Sequence, residues 1–161
     1  MAASGQAQLS AADTFSNAGL LHTGDLTLQA RTIDNAATGQ MTASGQAQLT
    51  ATETLTNSGL LQGRDLTLHA QNIDNVATGQ MAASGQAQLT ATETLSNSGL
   101  LQGRDLTLQA QRIDNVATGQ MAASGQAQLT ATATLSNSGL LQGRDLTLHA
   151  QRIDNAAAAQ I

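Results

Sequence analysis

The chain contains no cysteine, proline, tryptophan, tyrosine or lysine, and its single aromatic side chain is Phe15. Each absence removes a class of protein. Without cysteine there are no disulfides and no thiolate metal sites. With one ring in the whole chain there are no stacking platforms for nucleic-acid bases. The large rings that usually fill a globular core are missing too. Six arginines against eleven acidic residues give a formal net charge of −5, with no basic stripe for nucleic acid or for an anionic membrane surface. No apolar run approaches the ~20 residues of a membrane-spanning helix. Met1-Ala-Ala-Ser-Gly-Gln6 lacks a basic stretch followed by an apolar one, so any export signal is expected to lie outside these residues.

What the chain has is repetition. Ala3-Ser-Gly-Gln-Ala-Gln-Leu9 recurs at 43–49, 83–89 and 123–129, a period of 40 residues in four copies. The copies run approximately over 3–42, 43–82, 83–122 and 123–161, and they read as a single repeat array over 1–161. Residues 81–120 and 121–160 are identical at 35 of 40 positions. Such likeness leaves few positions individually tuned, as an active site requires. Each copy contains two similar halves, aligned by Leu49-Thr-Ala51 with Leu68-His-Ala70, Leu55 with Ile73, and Asn57 with Asn75. From Asn57 to Asn75 is 18 residues and from Asn75 to Asn97 is 22, so the unit is about 20 residues, alternately short and long.

A period near 20 admits leucine-rich repeats, but their L-x-x-L-x-L-x-x-N pattern is absent, and helical solenoids need longer units. Leu66, Leu68 and Ala70 alternate with Thr67 and His69, the period-two signature of a strand. Threonine, glycine and asparagine also disfavour helix. The expected fold is all-β: a parallel β-helix, or β-solenoid, of about eight coils. Each coil should carry three short strands. The first holds Leu66, Leu68 and Ala70 inward. A turn at Gln71 and Asn72 leads to the second, Ile73-Asp-Asn75. A glycine-containing turn then leads to the third, with Leu61 or Met81 inward.

By parity Asn75 also points inward, and a buried amide must find partners for its donors and its acceptor. The expected solution is a structural ladder of Asn17, Asn35, Asn57, Asn75, Asn97, Asn115, Asn137 and Asn155, one per coil. Other polar residues form no cluster. Asp25, Asp65, Asp105 and Asp145 recur two coils apart, roughly 9.6 Å, which suits a solvated surface stripe and not a calcium site, whose oxygens must converge on one ion. His22, His69 and His149 stand alone, with no partner group for acid–base chemistry. A β-helical polysaccharide-cleaving enzyme would need a unique acid–base set, whereas the acids here recur in every copy. A threonine array of the ice-binding kind, suggested by Thr50 and Thr52, is interrupted by His69 and Gln71 in the next coil. The end coils show no caps, and uncapped strand edges template further pairing. End-to-end self-association is therefore expected of an isolated array. No catalytic residue, metal site or cofactor is expected.

Three elements carry a family resemblance: Leu-Thr-Leu-x-Ala-x-x-Ile-Asp-Asn, Leu-Ser-Asn-Ser-Gly-Leu-Leu-Gln-Gly and Asn-Val-Ala-Thr-Gly-Gln-Met. With them the chain resembles the haemagglutinin repeats of filamentous haemagglutinin-like exoproteins, over essentially its whole length. That family includes adhesins and contact-dependent growth inhibition proteins secreted by two-partner systems. The resemblance implies a right-handed parallel β-helix, part of the shaft of a large secreted or surface protein. It also implies an outer-membrane secretion partner, and a receptor or glycan on a host or neighbouring cell bound by the full-length protein. The family's secretion, receptor-binding and toxin regions have no counterpart in these residues.

Overall fold

The computed structural model describes residues 1–161 and contains strands and turns with no helix. The first coil is made by β1 (Gln6–Ser10), β2 (Thr14–Asn17) and β3 (Leu20–Thr23). The pairs β4 (Asp25–Asn35) with β5 (Gln40–Ala43) and β6 (Gln46–Asn57) with β7 (Leu60–Gly63) form the next two coils. The pattern repeats as β8 (Asp65–Asn75), β9 (Gln80–Ala83), β10 (Gln86–Asn97) and β11 (Leu100–Gly103). It repeats again as β12 (Asp105–Asn115), β13 (Gln120–Ala123), β14 (Gln126–Asn137) and β15 (Leu140–Gln142). The last coil has β16 (Asp145–His149) and β17 (Arg152–Asn155).

These strands stack into two parallel sheets. The larger runs β1-β4-β6-β8-β10-β12-β14-β16, with β2 beside β4 and β17 beside β14, and the smaller runs β15-β13-β11-β9-β7-β5-β3. Every pairing is with the preceding or following coil, which is the architecture of a β-solenoid of eight turns. The register matches the alignment of half-repeats: Leu49 lies beside Leu68, Leu55 beside Ile73, and Asn57 beside Asn75. At about 4.8 Å per coil, eight coils make a rod roughly 40 Å long.

In the six interior coils the first and second strands are joined without a turn: β6 and β8, for example, run unbroken through the place where one was expected at Gln71 and Asn72, and the break occurs only in the terminal coils, between β1 and β2 and between β16 and β17. The pairing shifts by one residue between Thr50 and Thr54. The long coil has 12 residues in this strand and the short coil 11, so the difference is absorbed as a bulge that bends the strand. Nothing in Ala51-Thr-Glu-Thr-Leu55 stops a strand, because threonine favours extended backbone and no glycine or proline intervenes.

The core is a set of columns parallel to the rod axis. Leu28, Leu49, Leu68, Leu89, Leu108 and Leu129 form one column, all at most 1% exposed. Ile33, Leu55, Ile73, Leu95, Ile113 and Leu135 form a second. Leucine and methionine alternate in a third on the smaller sheet: Leu61, Met81, Leu101 and Met121. Each such side chain stabilises by roughly 2 kcal/mol through burial. Size is balanced across the interior. Leu66 and Leu106 alternate with Ala47, Ala87 and Ala127 in one column. At Gly63, which precedes Leu66, an added Cβ would come 3.1 Å from a Leu66 methyl. Where the larger sheet supplies leucine, the smaller supplies glycine. Thr23 breaks this rule by standing at the Gly63 position in the first copy. It is buried and its hydroxyl has no partner.

Candidate functional site

The second strand of each coil ends on asparagine, and these side chains meet inside the corner. Asn35 Nδ2 donates to Asn57 Oδ1 at 2.8 Å, Asn57 Nδ2 to Asn75 Oδ1 at 2.9 Å, and Asn75 Nδ2 to Asn97 Oδ1 at 2.8 Å. The series continues from Asn97 to Asn115, from Asn115 to Asn137 and from Asn137 to Asn155, and it begins with Asn17 to Asn35. All eight asparagines are thus joined in one chain of hydrogen bonds. The second amide hydrogen goes to backbone: Asn75 Nδ2 reaches Leu100 O at 3.0 Å, and Asn97 Nδ2 reaches Gly99 O and Gln120 O at 3.2 Å. The six from Asn35 to Asn137 are at most 3% exposed, so the amide groups are closed to solvent and to ligands.

The corner needs glycine for space alone. No glycine in the chain has positive φ. A Cβ at Gly79 would collide with the Asn57 carbonyl and with Asn75 Oδ1, and one at Gly59 with the carbonyls of Gly39 and Ala36. Successive backbones approach so closely there that a side chain has to push them apart. Thr78 and Thr118 fasten the longer corner from outside, each Oγ1 donating at 2.8 Å to the Ser58 or Ser98 carbonyl one coil back.

The repeated aspartates do more than line the surface. Asp65 Oδ1 accepts from Gln86 N–H of the next coil at 3.0 Å, and Asp25 and Asp105 do the same with Gln46 and Gln126. Gly85 leaves the room, since a Cβ there would strike the Asp65 carboxylate. The Gln86 N–H, aided by Arg64 Nε at 3.1 Å, holds the Asp65 carboxyl below the usual carboxylate range, and Gln126 with Arg104 does so for Asp105. The signal in the sequence was the Gly-Gln pair placed 20 and 21 residues after each of these aspartates.

A second acidic column lies on the outward side of the Asn strand, where Asp34, Asp74 and Asp114 alternate with Thr56, Ser96 and Ser136. Burial raises the Asp74 and Asp114 carboxyls above their ordinary range. The histidines remain apart. His22 Nδ1 meets Thr42 Oγ1 at 2.7 Å, His69 lies beside Thr50 in the sheet and His149 beside Thr130. His69 thus interrupts the Thr50 row as expected, whereas Thr52 falls at the bulge and pairs with no residue of the next coil. No three acidic or imidazole side chains converge on a point that would hold a metal ion. The flank depressions, such as the 450 Å³ one lined by Ala83, Gln102, Arg104, Ala122 and Gln142, bring no acid and base together.

The polar side chains with defined geometry bond to one another and to the chain's own backbone. Four successive stretches, residues 2–59, 59–99, 98–139 and 122–161, match the haemagglutinin repeat family. The chain belongs to that family. No curated protein and no solved structure matches it.

Proposed function

We propose that the chain is a rigid shaft segment of a large secreted or surface-exposed bacterial adhesin, projecting binding or toxin domains away from the cell. The observation that carries this reading is the unbroken stacking of one coil on the next, from the first haemagglutinin repeat match to the last. A rod of this kind needs no catalyst, and the recurring acids serve the backbone. The asparagine ladder is its axial fastening: in a low-dielectric interior each amide strengthens its neighbours' bonds. Binding of a receptor or glycan on a host or neighbouring cell is assigned to other parts of the parent protein, and export to an outer-membrane secretion partner. Nucleic acid and membrane insertion play no part.

The test is a ruler experiment. Fluorophores are attached near the two ends of the array, and their separation is compared before and after removal of residues 81–120. Loss of two coils is expected to shorten the distance by about 10 Å while the flanking coils rejoin. An unchanged separation, or collapse of the β-rich fold, sinks the shaft reading.

A further inference from the structure

The sides of the rod differ in width and in charge. The smaller sheet is four residues wide, and the asparagine-bearing strand presents Asp34, Asp74 and Asp114 to solvent. The first half of the larger sheet is unlike both. Its strands pair in unshifted register up to the bulge, so successive coils lay down straight columns. On the outward side Gln48, Thr67 and Gln88 begin one column, and Thr50, His69 and Thr90 begin the next. Neither column contains a carboxylate or an arginine. Gln48, Gln88 and Gln128 are exposed. Among the glutamines, Gln71 alone has its side-chain amide hydrogen-bonded.

We propose that this face packs against the same face of a second copy of this chain, the two rods lying side by side and parallel about a two-fold axis along their length. Area, charge and side-chain size choose the occupant. From Gln46 to Thr52 the face is about 20 Å wide, so each two-coil repeat supplies about 190 Å². Four 40-residue copies therefore present close to the ~800 Å² per partner of a stable interface. The chain carries a net charge of −5, and on this strip two such rods meet without opposing their carboxylates. The two-fold axis reverses the order of the columns across the joint. Gln88 of one copy then faces Thr90 of the other, Thr67 faces His69, and Thr107 faces Gln109, so each coil sets a long side chain against a short one. The free glutamine amides bond across such an interdigitated layer, as they do between paired sheets elsewhere. The margins agree with this orientation. Glu93, at the bulge, bonds to Gln71 and Asn72 and to no arginine. At the opposite margin Arg104 holds Asp105 through Nε alone, and its side chain is 63% exposed. Parallel rods bring the Glu93 margin against the Arg104 margin, whereas antiparallel rods set acid against acid. The pairing stands independently of the shaft reading.

An isologous contact of this kind closes on itself. In sedimentation at about 0.15 M salt, where distant charges are screened, the chain is expected to pass from monomer to dimer with concentration and to go no further. Gln48→Glu combined with Gln88→Glu keeps side-chain size but puts four unpaired carboxylates into the joint. That variant is expected to weaken the dimer at least ~tenfold, with circular dichroism showing the coils intact. Gln80→Glu combined with Gln120→Glu adds the same charge to the smaller sheet and is expected to leave the dimer as strong as wild type. The chain has no cysteine, so Gln40→Cys and Gln120→Cys each take a single fluorophore there. Energy transfer from a donor at position 40 is expected to be stronger to a partner labelled at position 40 than to one labelled at 120, four coils further along. A chain that stays monomeric at every concentration overturns the proposal, as does growth beyond the dimer. So does undiminished pairing of the Gln48 and Gln88 variant, equal weakening by the smaller-sheet variant, or energy transfer that does not favour position 40.

Discussion

Ile73 and Ile153 occupy the same place in the same Ile-Asp-Asn triplet, yet one is 1% exposed and the other 45%. Asn75 is sealed in the interior, whereas Asn155 is exposed. The strand that carries Asn75 runs 11 residues, but in the last coil it is broken into β16 and β17. The sequence of a coil thus sets its shape only in part. Burial comes from the coil stacked on it. Stability in such an array is the sum of weak units and strong interfaces, and a terminal coil has one interface where an interior coil has two.

Paired substitutions, one inside and one at the end, distinguish interior from terminal coils by denaturant unfolding. Ile73→Ala is expected to cost about 4 kcal/mol, through lost burial and the cavity left behind. Ile153→Ala should cost under ~1 kcal/mol because the site is already open. Equal costs would mean that coils carry their own cores. Asn97→Leu is expected to cost about 3 kcal/mol, since it strips partners from Asn75, Asn115 and the Gly99 and Gln120 carbonyls in a buried setting. Asn155→Leu deletes the ladder's last acceptor at an exposed site, and a change below ~1 kcal/mol is expected. Gly79→Ala is expected to cost about 2 to 3 kcal/mol, because the new methyl meets the Asn57 carbonyl and overpacking forces backbone apart. Its terminal counterpart is already alanine, Ala159, in a corner that has also replaced the fastening threonine with Ala158.

The smallest expected effects depend on pH. Asp65 is held below its ordinary range by the Gln86 N–H and Arg64. A carboxyl depressed in the folded state stabilises above its unfolded value, about 3.9, and that stability is lost as pH falls through the folded value. Asp65→Asn should therefore lower the unfolding midpoint at neutral pH, and wild type and variant should converge in acid. Asp145→Asn has no N–H above it to lose and should leave the unfolding midpoint at neutral pH unmoved. Asp74 has the opposite sign. Burial raises its carboxyl, so its charge costs stability at neutral pH and the cost fades as pH falls toward the unfolded value. Asp74→Asn should give a small gain at neutral pH that disappears in acid. A gain that grew in acid would contradict the burial argument.

The inward parity and alternating spacing of the asparagines were readable because the period-two pattern of strands fixes side-chain direction. Leu68, Ile73 and Met81 were readable on the same ground. The bend near Thr52 was not. A bulge leaves no glycine or proline behind, only one extra residue in alternate coils. The role of Asp65 was also missed. An isolated Asp before a strand looks like surface charge, and its partner is a backbone N–H 21 residues away, marked only by the recurring Gly85-Gln86 pair. The glycines were half readable. Their positions marked corners, but the reason lies in the approach of two backbones rather than in an unusual φ.

The pairing of short and long coils has a consequence for the gene. On the smaller sheet, Leu61, Met81 and Leu101 are evenly spaced at 20 residues, while the asparagines alternate between 18 and 22. Gain or loss of a single coil would set two coils of one kind side by side, leucine against leucine in a column built for leucine against alanine. Gain or loss of 40 residues leaves every column in phase. Unequal recombination between copies this alike therefore moves in steps of two coils and leaves no seam. Alleles of the gene are expected to differ in length by whole 120-base-pair increments, three bases for each of the 40 residues.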